Sequence, residues 1–107
     1  MEGMFNGCSK LKKLNLLNFN TNNVENMNMM FSECSELKEI NLDNFVTNNT
    51  YNMVEMFFGC KKLINIDISK FNLKKAFNRK HMFSGCSQAL KQIIKSQNGD
   101  IKDIDFE

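Results

Sequence analysis

A chain of 107 residues, 42% hydrophobic and 24% charged, is long enough for one domain and apolar enough for a core. Its net charge of +2 supplies no global field for nucleic acid or acidic lipid, and no apolar run is long enough for a transmembrane helix. The opening residues, Met1 to Lys10, lack a basic stretch followed by an apolar one, so no signal peptide is visible and the compartment stays open.

The sequence repeats every 26 residues. Met-Phe recurs at Met4-Phe5, Met30-Phe31, Met56-Phe57 and Met82-Phe83, and cysteine at Cys8, Cys34, Cys60 and Cys86. Leu11, Leu37 and Leu63 follow, then Leu14, Ile40 and Ile66, then Leu16, Leu42 and Ile68, then Phe19, Phe45 and Phe71. Such a period is the signature of units that stack. Met1 takes the position of Met27 and Met53, so the first coil is incomplete and uncapped. That start fits the C-terminal part of a longer protein, and an uncapped coil invites self-association.

Within a unit two periodicities alternate. Asn22 and Glu25 read as a capping box, and Val24, Met27, Met30, Phe31 and Cys34 fall on one helix face. Leu37, Ile40 and Leu42 then alternate as strand residues do, Phe45 marks a turn, and Thr47 to Asn49 has turn and cap chemistry. The expected fold is an α/β solenoid of about three and a half coils over residues 1–86, with parallel strands on one side and helices on the other.

The rest, residues 87–107, reads as a closing segment of the same domain. Ala89, Leu90, Ile93 and Ile94 are spaced for a helix, with Asn98-Gly99 as its stop. Ile101, Ile104 and Phe106 then restore a strand pattern. A strand at Leu90 to Ile94 with a one-residue slip is the alternative.

The string L-x-x-L-x-L is the leucine-rich-repeat core, and the fuller pattern M-x-x-MF-x-x-C-x-x-L-x-x-L-x-L-x-x-F-x-T resembles the BspA-type leucine-rich repeat, which includes repeats of mycoplasma surface lipoproteins. The match runs from residue 1 to about 86, and the second unit carries every marked position. Leu73 stands where threonine is expected, and Arg79 where methionine is. The resemblance implies a secreted or surface-attached protein that binds host or matrix proteins, with no catalytic residues.

Other motifs favour structural roles. Tetrahedral zinc needs four sulfurs ~2.3 Å from one point, whereas equivalent positions on successive coils form a line at least ~14 Å long. Parallel Cβ vectors likewise disfavour disulfides, so buried free thiols are expected. Neither metal nor cofactor is expected. Met4, Met30, Met56 and Met82 recur at packing positions. His81 shares its position with Gly3, Met29 and Glu55, which suggests an exposed, type-tolerant site without catalytic partners. Lys70, Lys74, Lys75, Arg79 and Lys80 form the one basic cluster. Phe71 and Phe77 belong to the core pattern or lie beside it, so no aromatic platform accompanies these cations and a solvated face is expected.

Between the strand leucines lie three rows: Lys13, Asn15 and Leu17, then Glu39, Asn41 and Asp43, then Asn65, Asp67 and Ser69. On a concave face they would form a candidate surface for a protein partner, and a merely solvated face is the competing reading. The leading function is therefore a non-enzymatic protein-binding or adhesion module of a surface protein. An intracellular scaffold or adaptor is the alternative. A basic-face binder of nucleic acid or membrane comes third, and no nucleic acid partner is expected.

Overall fold

Backbone dihedrals decide how the Met-Phe segments fold. In the computed structural model, which describes residues 1–107, Gly3, Met29, Glu55 and His81 take φ of 63, 56, 55 and 59°. Four residues on, Gly7, Glu33, Gly59 and Gly85 take φ of 78, 62, 74 and 82°. Left-handed residues four apart break any i to i−4 ladder. Backbone donors consequently alternate in direction. Met30, Ser32 and Cys34 donate three residues back, to the carbonyls of Met27, Met29 and Phe31. Met27, Met29, Phe31 and Glu33 donate sideways, to those of Asn52, Val54, Met56 and Phe58 at 2.8, 2.9, 2.9 and 2.6 Å. Of 59 backbone hydrogen bonds, 49 lie outside helix and strands, so turns and sideways bonds carry most of the backbone pairing.

The expected leucine-rich-repeat solenoid, with a helix in every unit opposite a continuous sheet, does not form. Regular structure amounts to β1 (Lys13–Asn15), β2 (Glu39–Asn41) and one helix, α1 (Gln88–Gln97), in a compact body of 29 × 29 × 20 Å. β1 and β2 pair in parallel, Leu14 opposite Ile40, and beyond β2 a single bridge joins Glu39 to Asn65. The helix-like spacing of Val24, Met27, Met30, Phe31 and Cys34 arises instead from three-residue turns, which also bring positions three or four apart to one side.

The core lies between these turn segments and the strand leucines. Met27, Met30, Phe31, Cys34 and Leu37 are fully buried, as are Met53, Met56, Phe57, Cys60 and Leu63. Rings of Phe5, Phe31, Phe57 and Phe83 stack face to face at 5.6, 5.2 and 5.2 Å between centroids. Stacked aromatic pairs contribute ~0.5–1.5 kcal/mol each beyond the area they bury. Buried threonine hydroxyls tie neighbouring segments together. Thr21 Oγ1 accepts from Val46 N–H at 2.8 Å and donates to its carbonyl at 3.1 Å, and Thr47 does the same with Asn72 at 2.9 and 3.0 Å. Leu73, where threonine is missing, is simply buried.

At the C-terminal end side chains substitute for backbone. Ser87 caps α1 by accepting from Leu90 N–H at 3.1 Å, and Leu90 and Ile94 bury its inner face. Gln97 presents its amide to the edge beyond Ile66: Oε1 accepts from Ile68 N–H at 3.0 Å and Nε2 donates to Ile66 carbonyl at 2.8 Å. Asn98 Nδ2 donates to the carbonyls of Ile68 and Phe71, both at 3.0 Å. The strand expected over Ile101 to Phe106 is instead a 3-10 turn, Asp103–Phe106, which places Phe106 on Phe83 at 5.7 Å, with Lys91 Nζ 5.3 Å from the centre of the Phe106 ring. Arg79 fills the place of Met27 and Met53 and reaches Asp105, its Nε 3.4 Å from Oδ1, while Nη2 donates to Asp100 carbonyl. No helix of the molecule is long and apolar enough to cross a membrane.

Candidate functional site

Side chains alternate along a strand, so burying Leu16, Ile40 and Leu42 turns their neighbours outward. The outward residues of β1, β2 and the Asn65 segment border an open trough of about 590 Å³. Lys13, Asn15, Glu39, Asn41, Asp43, Asn65 and Asp67 line it, with the half-buried Leu14 at its floor. Leu17 and Ser69, the remaining candidates, are exposed beyond its rim.

The leading residues of the three rows form a continuous polar chain. Lys13 Nζ lies 3.2 Å from Glu39 Oε2, and Asn65 Nδ2 donates to Glu39 Oε1 at 3.2 Å. The middle residues of the three rows are partly committed to the fold. Asn15, Asn41 and Asp67 each accept from the N–H two residues on, at Leu17, Asp43 and Ser69, with distances of 3.0, 3.0 and 2.8 Å. These Asx turns end β1, β2 and the Asn65 segment. The Ser69 hydroxyl and N–H hold the Asp67 carboxyl below its ordinary value, so it stays charged. The trough thus presents a lysine paired with a glutamate at one end and carboxylates and amides across the middle. This arrangement can form hydrogen bonds and ion pairs with a broad, polar surface.

The remaining sequence candidates fall elsewhere. All four cysteines are free. Cys34, Cys60 and Cys86 donate Sγ–H to the carbonyls of Phe5, Phe31 and Phe57 at 3.2, 3.1 and 3.3 Å. Burial pushes the Cys34 thiol up to about 11 and Cys86 up to about 12, and raises Cys60 too. Burial thus favours the protonated thiol over the nucleophilic thiolate. His81 is half-buried, its Nδ1 hydrogen-bonded to the Glu107 carbonyl; left-handed geometry, not exposure, defines its position. Within the basic cluster Arg79 is turned inward, whereas Lys70, Lys74, Lys75 and Lys80 are exposed. Phe71 is buried as its spacing suggests, but Phe77 is 84% exposed and stands beside Tyr51 and Lys75. An aromatic surface does accompany those cations. The period alone misses it, because the repeat position that Phe77 occupies holds Glu25 and Tyr51 in the preceding units and so keeps no constant residue type.

No curated protein and no solved structure matches this chain. A family model described as a Mycoplasma protein of unknown function matches residues 1–98, nearly the whole length. The chain belongs to that family, DUF285.

Proposed function

We propose that the protein is a non-enzymatic binding or adhesion module of a BspA-like surface protein, and that its trough meets a protein partner. The observation that carries this reading is the unbroken polar chain of Lys13, Glu39 and Asn65, flanked by Asn41, Asp43 and Asp67 on one open face. Polar, solvent-facing rows of this kind suit extended protein contacts, where ion pairs set orientation and encounter rate. The resemblance of the Met-Phe, cysteine and leucine pattern to BspA-type repeats adds the expectation of a surface location and of a host or matrix protein as partner.

The test is binding of the purified protein to a panel of immobilised extracellular-matrix proteins. Saturable binding to one of them is expected, weakened about tenfold or more by Asp43→Lys with Asp67→Lys, a change of ~1.4 kcal/mol. Circular dichroism checks that the variant keeps its fold. Saturable binding that the charge reversal leaves intact, or no saturable binding across the panel, would overturn the proposal.

A further inference from the structure

Three large apolar side chains stand in solvent at one corner of the molecule: Phe77 is 84% exposed, Ile104 61% and Tyr51 46%. Two adjoining hollows share Phe77. One, of about 490 Å³, is bordered by Tyr51, Phe77, Lys75 and Glu25. The other, of about 400 Å³, lies between Phe77 and Ile104 and is bordered by Lys80 and Glu107. Clusters of exposed apolar residues rimmed by charge mark interaction surfaces.

The charges indicate the partner. None of the molecule's four ion pairs uses Lys74, Lys75 or Lys80, all of which are exposed. The inward carboxylate of Asp105, which also borders the second hollow, faces Arg79. Exposed Glu25 and Glu107 are likewise outside those ion pairs, but the segment that carries Phe77, residues 70–81, holds Lys70, Lys74, Lys75, Arg79 and Lys80 and no carboxylate. Cations therefore outnumber carboxylates around the protruding apolar tips, which suits a partner that is anionic at its surface and apolar just beneath.

We infer that this corner docks on an anionic lipid bilayer. Phe77 and Ile104 enter the acyl boundary, Tyr51 lies at headgroup level, and Lys74, Lys75 and Lys80 meet the phosphates. Single-stranded nucleic acid would also use lysines and rings. Ile104, however, has no ring on which a base could stack, and would remain in water beside such a strand. An aliphatic tip beside an aromatic one is accounted for by hydrocarbon.

The test is flotation of the full chain with vesicles of phosphatidylcholine alone or mixed with phosphatidylglycerol. Binding is expected to the mixed vesicles only and to fade at high salt, as attraction to an anionic surface does. Phe77→Ser with Ile104→Ser should cut partitioning about tenfold or more. Lys75→Glu should cut it roughly fivefold or more. Leu17→Ser, at an exposed apolar site on the trough side, should leave it unchanged. All four side chains are exposed, so the variants retain the core. Equal binding to both vesicle types, insensitivity to the Phe77 and Ile104 changes, or tighter binding of an oligothymidylate than of anionic vesicles would overturn the inference.

Discussion

Gly85 shows how far a single Cβ matters. Its φ is +82°, and an added Cβ would lie 3.3 Å from both Cα and N of Gly59. Gly7 has a similar φ, +78°, with nothing within 4 Å of the same position. Alanine at Gly7 should therefore cost only the left-handed backbone term, ~1–2 kcal/mol. Alanine at Gly85 adds backbone crowding, so its urea midpoint should fall below that of Gly7→Ala. Equal midpoints would show that the segments separate easily. Asp105 gives a second expectation at this scale. Burial raises its pKa, against the opposing pull of Lys102 N–H and Arg79. A carboxyl whose folded pKa lies above its unfolded value is penalised when charged, so its contribution improves as pH falls through the folded pKa toward ~3.9. Relative to Asp105→Asn, the wild type should accordingly gain stability on acidification from neutral pH, as read from urea midpoints across pH. A difference that moves the other way would mean that Arg79 outweighs burial.

Among the elements, α1 does more than cover the core. Its last residue, Gln97, supplies the donor and acceptor that a further strand would bring to Ile66 and Ile68. Gln97→Leu leaves both groups without that partner, at ~1–3 kcal/mol for each group cut off from water. Gln97→Glu keeps the acceptor but sets a carboxylate against the Ile66 carbonyl. Both variants should lose amide-exchange protection at Ile68, and Gln97→Glu should retain more of it than Gln97→Leu. Unchanged protection in both would show that the amide is dispensable. The sequence makes the core residues of these elements legible, because Met30, Phe31, Cys34, Leu37, Ile40 and Leu42 recur as apolar types and are all buried. It does not reveal the backbone between them. Turns of three residues and helices of 3.6 per turn give nearly the same apolar spacing over about eight positions, and the difference lies in left-handed residues that Met29, Glu33 and Glu55 do not advertise. Gly7, Gly59 and Gly85 at one shared position are the signal that could have shown it. The trough residues are legible through strand alternation, whereas the Asx turns that occupy Asn15, Asn41 and Asp67 depend on where each short strand ends.

For the molecule as a whole, the trough and the Phe77 corner are separate sets of side chains, with no lining residue in common. Substitutions at one can therefore be judged without disturbing the other. Tyr51 makes one of them directly observable. It is the only tyrosine of a chain without tryptophan, and it lies in the hollow beside Phe77. Ultraviolet emission excited at the red edge of the phenol band thus originates from a single side chain at that corner. An aqueous quencher such as acrylamide should reach it in the free protein and be screened from it when the corner is covered, giving an optical readout that needs no attached dye.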